Sequence, residues 1–174
     1  GSLGSPNWGR SELAAGLYDE ILFNGATYAD LGRGKGPLIL ASATDVSTGA
    51  RLVLDQDVFA ALCSNLDDIR LSRAAAASSA VPVVLSAVTI NNYGGTCNYV
   101  VPPALQLLAG PDLPPRTAAR AKREIDERLA LADGVHRPYL HLVDGGVADN
   151  VGMRSAIAAL ESMDALHRAG MPSR

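Results

Sequence analysis

The chain is poor in the residues on which metal and redox chemistry depend. It has two cysteines, Cys63 and Cys97, and three histidines among 174 residues. Neither cysteine stands in a short Cys-Cys or Cys-His spacing, so the sequence predicts neither a zinc site nor a disulfide framework. One disulfide between the two stays open, and with it the redox compartment. A basic excess is also missing. Fifteen Lys and Arg stand against 18 Asp and Glu, a net charge of −3 with no basic stripe. That pattern excludes an electrostatic footprint for nucleic acid and favours a neutral or lipid-like substrate. Long apolar runs are absent too, each being broken by Ser, Thr, Asn or Pro before the roughly 18 residues that a membrane span needs. The start, Gly1 to Pro6, has no charged stretch leading into an apolar one, so no signal peptide is expected.

What is present suits one globular unit, since 48% hydrophobic residues can bury a sizeable core. Ser11 to Phe23 places Leu13, Leu17, Ile21 and Leu22 at near-helical spacing, with Ser11 as cap. Leu38 to Ala43 is an apolar run of strand length, expected to be buried on both faces. Ala50 to Asp55 alternates, as its neighbour across the turn Asp45 to Gly49. Helical patterning returns from Asp57 to Ala80 and stops before Pro82. Asn91 to Pro115, rich in Asn, Gly and Pro, reads as a long excursion.

The clearest helix follows, with an apolar stripe at Ala118, Ala121, Ile125, Leu129 and Ala132. Opposite-charge pairs Arg120/Glu124, Arg123/Glu127 and Glu124/Arg128 lie four residues apart on its solvated surface. Tyr139 to Val143 is a strand, and Asp144-Gly-Gly-Val147 turns the chain. Asn150 then caps a final helix with Ile157, Leu160 and Met163 inward. Alternating strands and helices of this kind predict a layered α/β architecture with helices covering a largely buried sheet.

Asp144 is the first candidate for chemistry. An acid at the end of a buried strand, followed by two glycines, lets backbone approach closely while the carboxylate is held near a cleft. An Asp-Gly pair after a strand is more often only a tight turn, so the dipeptide alone decides nothing. Gly32-Arg-Gly-Lys-Gly36 is not a phosphate loop, because Pro37 follows where Ser or Thr is required. His141 lies three residues before Asp144, on the opposite face of an ideal strand, and cannot pair with it. His136 and His167 belong to a loop and a helix end. Metal-assisted hydrolysis by Asp144, Asp149 and His141 is the weaker reading, since their spacing matches no ligand pattern. No serine sits in a Gly-x-Ser-x-Gly elbow. Ser78 and Ser79 close an alanine-rich helix, where backbone capping is the expected role.

Two separated segments, Ala77-Ser-Ser-Ala-Val-Pro82 and Val143-Asp-Gly-Gly-Val-Ala-Asp-Asn150, together resemble the patatin-like phospholipase family. Ala43-Thr-Asp-Val-Ser-Thr-Gly49 supports them, so that the resemblance spans about two thirds of the chain, from Pro37 to Ile157. It implies a three-layer α/β/α fold and a Ser-Asp dyad in which an elbow serine attacks a lipid ester and the aspartate activates it. Asp144 matches that aspartate, and Gly145 and Gly146 match the glycines that support it. The family's glycine-rich oxyanion strand and elbow are both missing, so the nucleophile is expected outside these residues. On this reading residues 1–174 are the later portion of a single, incomplete patatin-like domain. The roughly 60 residues between Pro82 and Asp144 are longer than the simplest members show, and an insertion is expected at about 91–138.

The resemblance thus implies a lipid acyl hydrolase, a serine esterase acting on phospholipid or other acyl-ester lipids. Peripheral membrane contact is part of that expectation; a cofactor or a metal is not. The isolated chain is expected to be inactive, marginally stable and in need of the upstream part of its own domain. The contrasting expectation is a non-catalytic binding or interaction module that kept the fold and lost its nucleophile.

Overall fold

A computed structural model describes residues 9–32, 39–82, 84–148, 153–168 and 170. The expectations for the start of the chain, for Gly32 to Pro37 as a loop, for Asp149 and for the cap at Asn150 lie outside these residues wholly or in part.

Four short strands form one antiparallel sheet: β1 (Ser42–Asp45), β2 (Arg51–Val53), β3 (Val88–Asn91) and β4 (Tyr139–Asp144), in the order β2-β1-β4-β3. β1 and β2 are the expected hairpin. Its turn closes through the Gly49 N–H on the Asp45 carbonyl (2.8 Å), with Gly49 at φ 69°. The expected strand at 38–43 has moved toward its carboxyl end. Ile39 and Leu40 are exposed, and the strand begins at Ser42, where β2 and β4 offer partners on both sides. β3 was not visible in the sequence. Directly opposed residues of antiparallel strands share a face, so Val88, Ile90, Leu140, Leu142, Ala43, Leu52 and Asp144 lie on one side. On the other lie Thr89, His141, Val143, Thr44 and Arg51.

The first face carries the main core. It packs against α4 (Leu71–Ser78), whose Ala74, Ala76 and Ala77 are buried. Small side chains there let α1 (Arg10–Tyr18) sit close behind α4. That contact corrects the expectation for the first helix. Ser11 and Ala15 are buried, while Leu13, Leu17, Ile21 and Leu22 face solvent at 52–68% exposure. Ser11 is not the cap either. Gly9 precedes the helix, and the Ser11 hydroxyl donates to the Ser86 carbonyl. The helix ends in a π-helical turn, Asp19–Phe23, before α2 (Tyr28–Gly32).

The helical stretch expected over 57–80 is two helices, α3 (Gln56–Ala61) and α4. Between them Cys63 adopts a left-handed conformation at φ 51°, and Asn65 caps the single 3-10 turn Leu66–Asp68. Cys63 is bonded to Cys97, which resolves the open question of their pairing.

Residues 92–138 leave the end of β3 and return to the start of β4 beside it, where Asn91 pairs with Tyr139. The segment holds α5 (Pro103–Leu108), placed inside the expected excursion, and α6 (Pro115–Leu131). Asn92 fastens its neck. The buried side-chain amide donates to the Leu131 carbonyl (2.9 Å) and its oxygen accepts from the Gly94 N–H (2.8 Å). Leu105, Leu108, Ala121 and Ala165 form a second, smaller core between α5, α6 and α7 (Met153–Arg168). In α7 the expected inward residues Ile157, Leu160 and Met163 are exposed, and Ala165 is buried. The chain is therefore α/β in the broad sense, with helices around an antiparallel sheet. No helix among the described residues is long and apolar enough to cross a membrane.

Candidate functional site

Asp144 ends the central strand and caps the 3-10 turn Gly145–Val147. Its Oδ1 accepts the Gly146 N–H at 2.7 Å. Asp144 is half-buried, and among the described residues its Oδ2 takes part in no hydrogen bond. Gly145 allows the turn for reasons of space. A Cβ there would stand 2.5 Å from the Ser42 carbonyl oxygen and 2.7 Å from Ser42 Oγ, so only a bare backbone fits against β1.

The backbone of Asp144 is held on both sides. Its N–H donates to the Ala80 carbonyl (3.0 Å), and its carbonyl accepts from Thr44 Oγ1 (2.8 Å), which also accepts the Ala148 N–H (3.2 Å). The segments Ala77 to Pro82 and Val143 onward, more than 60 residues apart in sequence, thus meet at the hydrogen bond between Ala80 and Asp144. Ser79 has the expected capping role: its Oγ donates to the Ala75 carbonyl (2.8 Å) and lies 3.3 Å from the Tyr18 hydroxyl. Among the described residues no serine side chain is hydrogen-bonded to Asp144.

His141 sits on the opposite sheet face, exposed, with Nδ1 3.0 Å from Thr89 Oγ1. His136 is on the surface beside Asp133 (2.7 Å), and that hydrogen bond lowers the Asp133 carboxyl below its ordinary range. His167 is exposed near the end of α7. His141 and Asp144 therefore do not converge, which removes the geometric basis for the Asp144, Asp149 and His141 metal reading.

Sequence reasoning passed over Thr44 as a site residue. The signal was available: a hydroxyl in a strand buried between two neighbours must find a partner, and here it ties β4 to the turn beyond it. Asp45, also buried, accepts from Thr48 Oγ1 (2.7 Å) and pairs with Arg137 Nη2 (2.5 Å), fixing the start of the hairpin turn.

A second polar cluster lies away from Asp144. Asp55 caps α3 through the Val58 N–H (2.8 Å), and Arg128 of α6 approaches it at 3.7 Å. Loss of water around Asp55 raises its carboxyl above the ordinary range despite the Val58 hydrogen bond and the Arg128 charge. Tyr99 and Tyr28 are raised by the same desolvation, with Asp55 adding to both. Comparison of the chain with protein-family models, curated proteins and solved structures returned no match.

Proposed function

We propose that this chain contributes the catalytic aspartate of a patatin-like lipid acyl hydrolase, with Asp144 as the base of a Ser-Asp dyad. The observation that carries the reading is the meeting of its two motif segments: Ala80, at the end of the alanine-serine helix, holds the backbone of Asp144. On this reading the sheet is the middle layer of a three-layer α/β/α domain, with α4 and α1 forming one outer layer. Gly145 and Gly146 shape the turn, and the Gly146 N–H orients the carboxylate through Oδ1. Oδ2 is the oxygen that takes the proton of a serine hydroxyl.

A hydroxyl is a poor nucleophile at neutral pH. A carboxylate about 2.6–3.2 Å from it removes the proton as the oxygen attacks the ester carbonyl, and returns it to the departing oxygen, so that an alcohol leaves and an acyl-enzyme remains for water to cleave. The serine is supplied by residues outside these 174, and residues 92–138 act as an insertion beside the dyad. The absence of a serine hydrogen-bonded to Asp144 among the described residues equally favours a second reading, a binding module of the same fold without a nucleophile.

The test is fluorophosphonate labelling and short-chain p-nitrophenyl ester hydrolysis by the product of the full gene, with Asp144→Asn alongside. The dyad requires a labelled serine and a loss of turnover in the variant of at least about 10²-fold. Equal labelling in both proteins overturns the assignment of Asp144, and no labelling in either leaves the binding module.

A further inference from the structure

On the side of β2 away from the main core, the structure has a groove of about 750 Å³ between β2, α6 and α7. Its size lies within the range of small-molecule sites. Five arginines line it, Arg51, Arg116, Arg120, Arg123 and Arg128, against three glutamates, Glu124, Glu127 and Glu161. Arg51 and Val53 project from the sheet face opposite to that of Asp144, and Asp144 does not line the groove. Only Ala148, beyond the Asp144 turn, reaches it.

Two of these arginines, Arg120 and Arg128, are incompletely satisfied. Arg128 is 7% exposed, yet its contacts to Asp55 (3.7 Å) and Glu124 (3.9 Å) are longer than hydrogen bonds, and its buried Nε has no partner. Arg120 spends Nη1 on Glu161 (2.5 Å), and its buried Nη2 has no partner. Among the described residues three buried side-chain polar atoms lack a hydrogen bond, and two of them belong to arginines of this one groove. A buried N–H is ordinarily paired, and a guanidinium is paired best by an oxyanion that accepts two of its donors at once. The glutamates limit the excess to two positive charges, enough for one doubly charged group.

We propose that this groove is an oxyanion site taking the phosphate group of a small phosphate ester or of a lipid headgroup, held by Arg120 and Arg128 with Arg116 and Arg123 at its rim. It is separate from the Asp144 site and does not depend on the esterase reading.

The experiment titrates the full chain with inorganic phosphate at low ionic strength by calorimetry. Saturable binding is expected, and Arg120→Gln should weaken it at least about tenfold through the loss of a charge-assisted hydrogen bond. Because Arg120 also holds α7, the exposed pair Arg116→Gln/Arg123→Gln supplies a variant that leaves the packing alone, with weaker binding expected again. No saturation in the wild-type chain, or unchanged affinity in both variants, overturns the site. Sedimentation with phosphatidylcholine vesicles, with and without phosphatidic acid, separates the sources. Retention on the acidic vesicles, lost in the variants, supports the site with a lipid headgroup as its ligand. Phosphate binding without retention supports it with a soluble ester. Asp144→Asn should bind phosphate as the wild type does, so the failure of either proposal is seen apart from the other.

Discussion

At the scale of single residues, the decisive feature is how little room surrounds the Asp144 turn. Gly145 is needed because β1 passes behind it, with no demand on φ. Gly145→Ala therefore forces Ser42 backbone and the turn apart, at a cost of about 1–3 kcal/mol as in other overpacked sites. Urea unfolding is expected to show that loss, and a variant as stable as the wild type would mean that β1 yields easily. Asp144 and its glycines were legible in the sequence because a strand pattern ran directly into Asp-Gly-Gly. Thr44 and Ala80, which hold the aspartate's backbone, were not legible as its partners. Their roles come from register across the sheet, and register is set by pairings that no local pattern records.

Elements were legible where charge and apolar periodicity agreed, and misread where tertiary contact chose a different face. α6 forms where its ion-pair spacing predicts, yet Arg128 is buried and Leu129 is 52% exposed, because α6 turns toward α3 and the groove. In α1 a stripe of leucine and isoleucine reads as the inner face, but the alanine surface of α4 admits the smaller Ser11 and Ala15 instead. The junction of α3 with α6 makes a pH dependence testable. The Asp55 carboxyl is raised in the folded chain, so folding favours its protonated form. The resulting stability is fully present below the carboxyl's unfolded value and is lost as pH rises through its folded value. Asp55→Asn keeps an oxygen for the Val58 N–H and removes that titration. The stability difference between variant and wild type is therefore expected to move in the variant's favour as pH rises across the acidic range, as read by urea unfolding at several pH values. The attraction between Arg128 and the ionised carboxylate acts in the opposite direction, and the raised carboxyl already reflects desolvation outweighing it. A difference that moves in the wild type's favour would show that Arg128 outweighs the desolvation.

Across the whole molecule, two cores are joined by a narrow neck. The main core lies between the sheet, α3, α4 and α1, and the smaller one lies among α5, α6 and α7. The sequence showed enough apolar residues for a core but could not divide them, because β3 was invisible and the return of residues 92–138 to β4 is a long-range event. The Cys63–Cys97 disulfide crosses the neck. It links the turn after α3 to the loop after β3, with Cα atoms 5.6 Å apart and a sequence separation of 34. Asn92, the Gly134 N–H on the Gly94 carbonyl (3.2 Å), the Tyr93 N–H on the Leu62 carbonyl (3.1 Å) and α6 against α3 add to that connection. Closing a loop of that length removes unfolded-state entropy worth about 3–4 kcal/mol in the chain-entropy model. Reduction, or Cys63→Ala with Cys97→Ala, is therefore expected to lower the urea midpoint with little loss of native secondary structure. Hydrogen exchange should speed up first in residues 92–138, where the neck loses its covalent tie, and later in β1 and β4, which keep partners on both sides. Uniform acceleration across both cores would instead mean that they unfold as one cooperative unit, with the disulfide acting on the whole chain and the neck no weaker than the sheet.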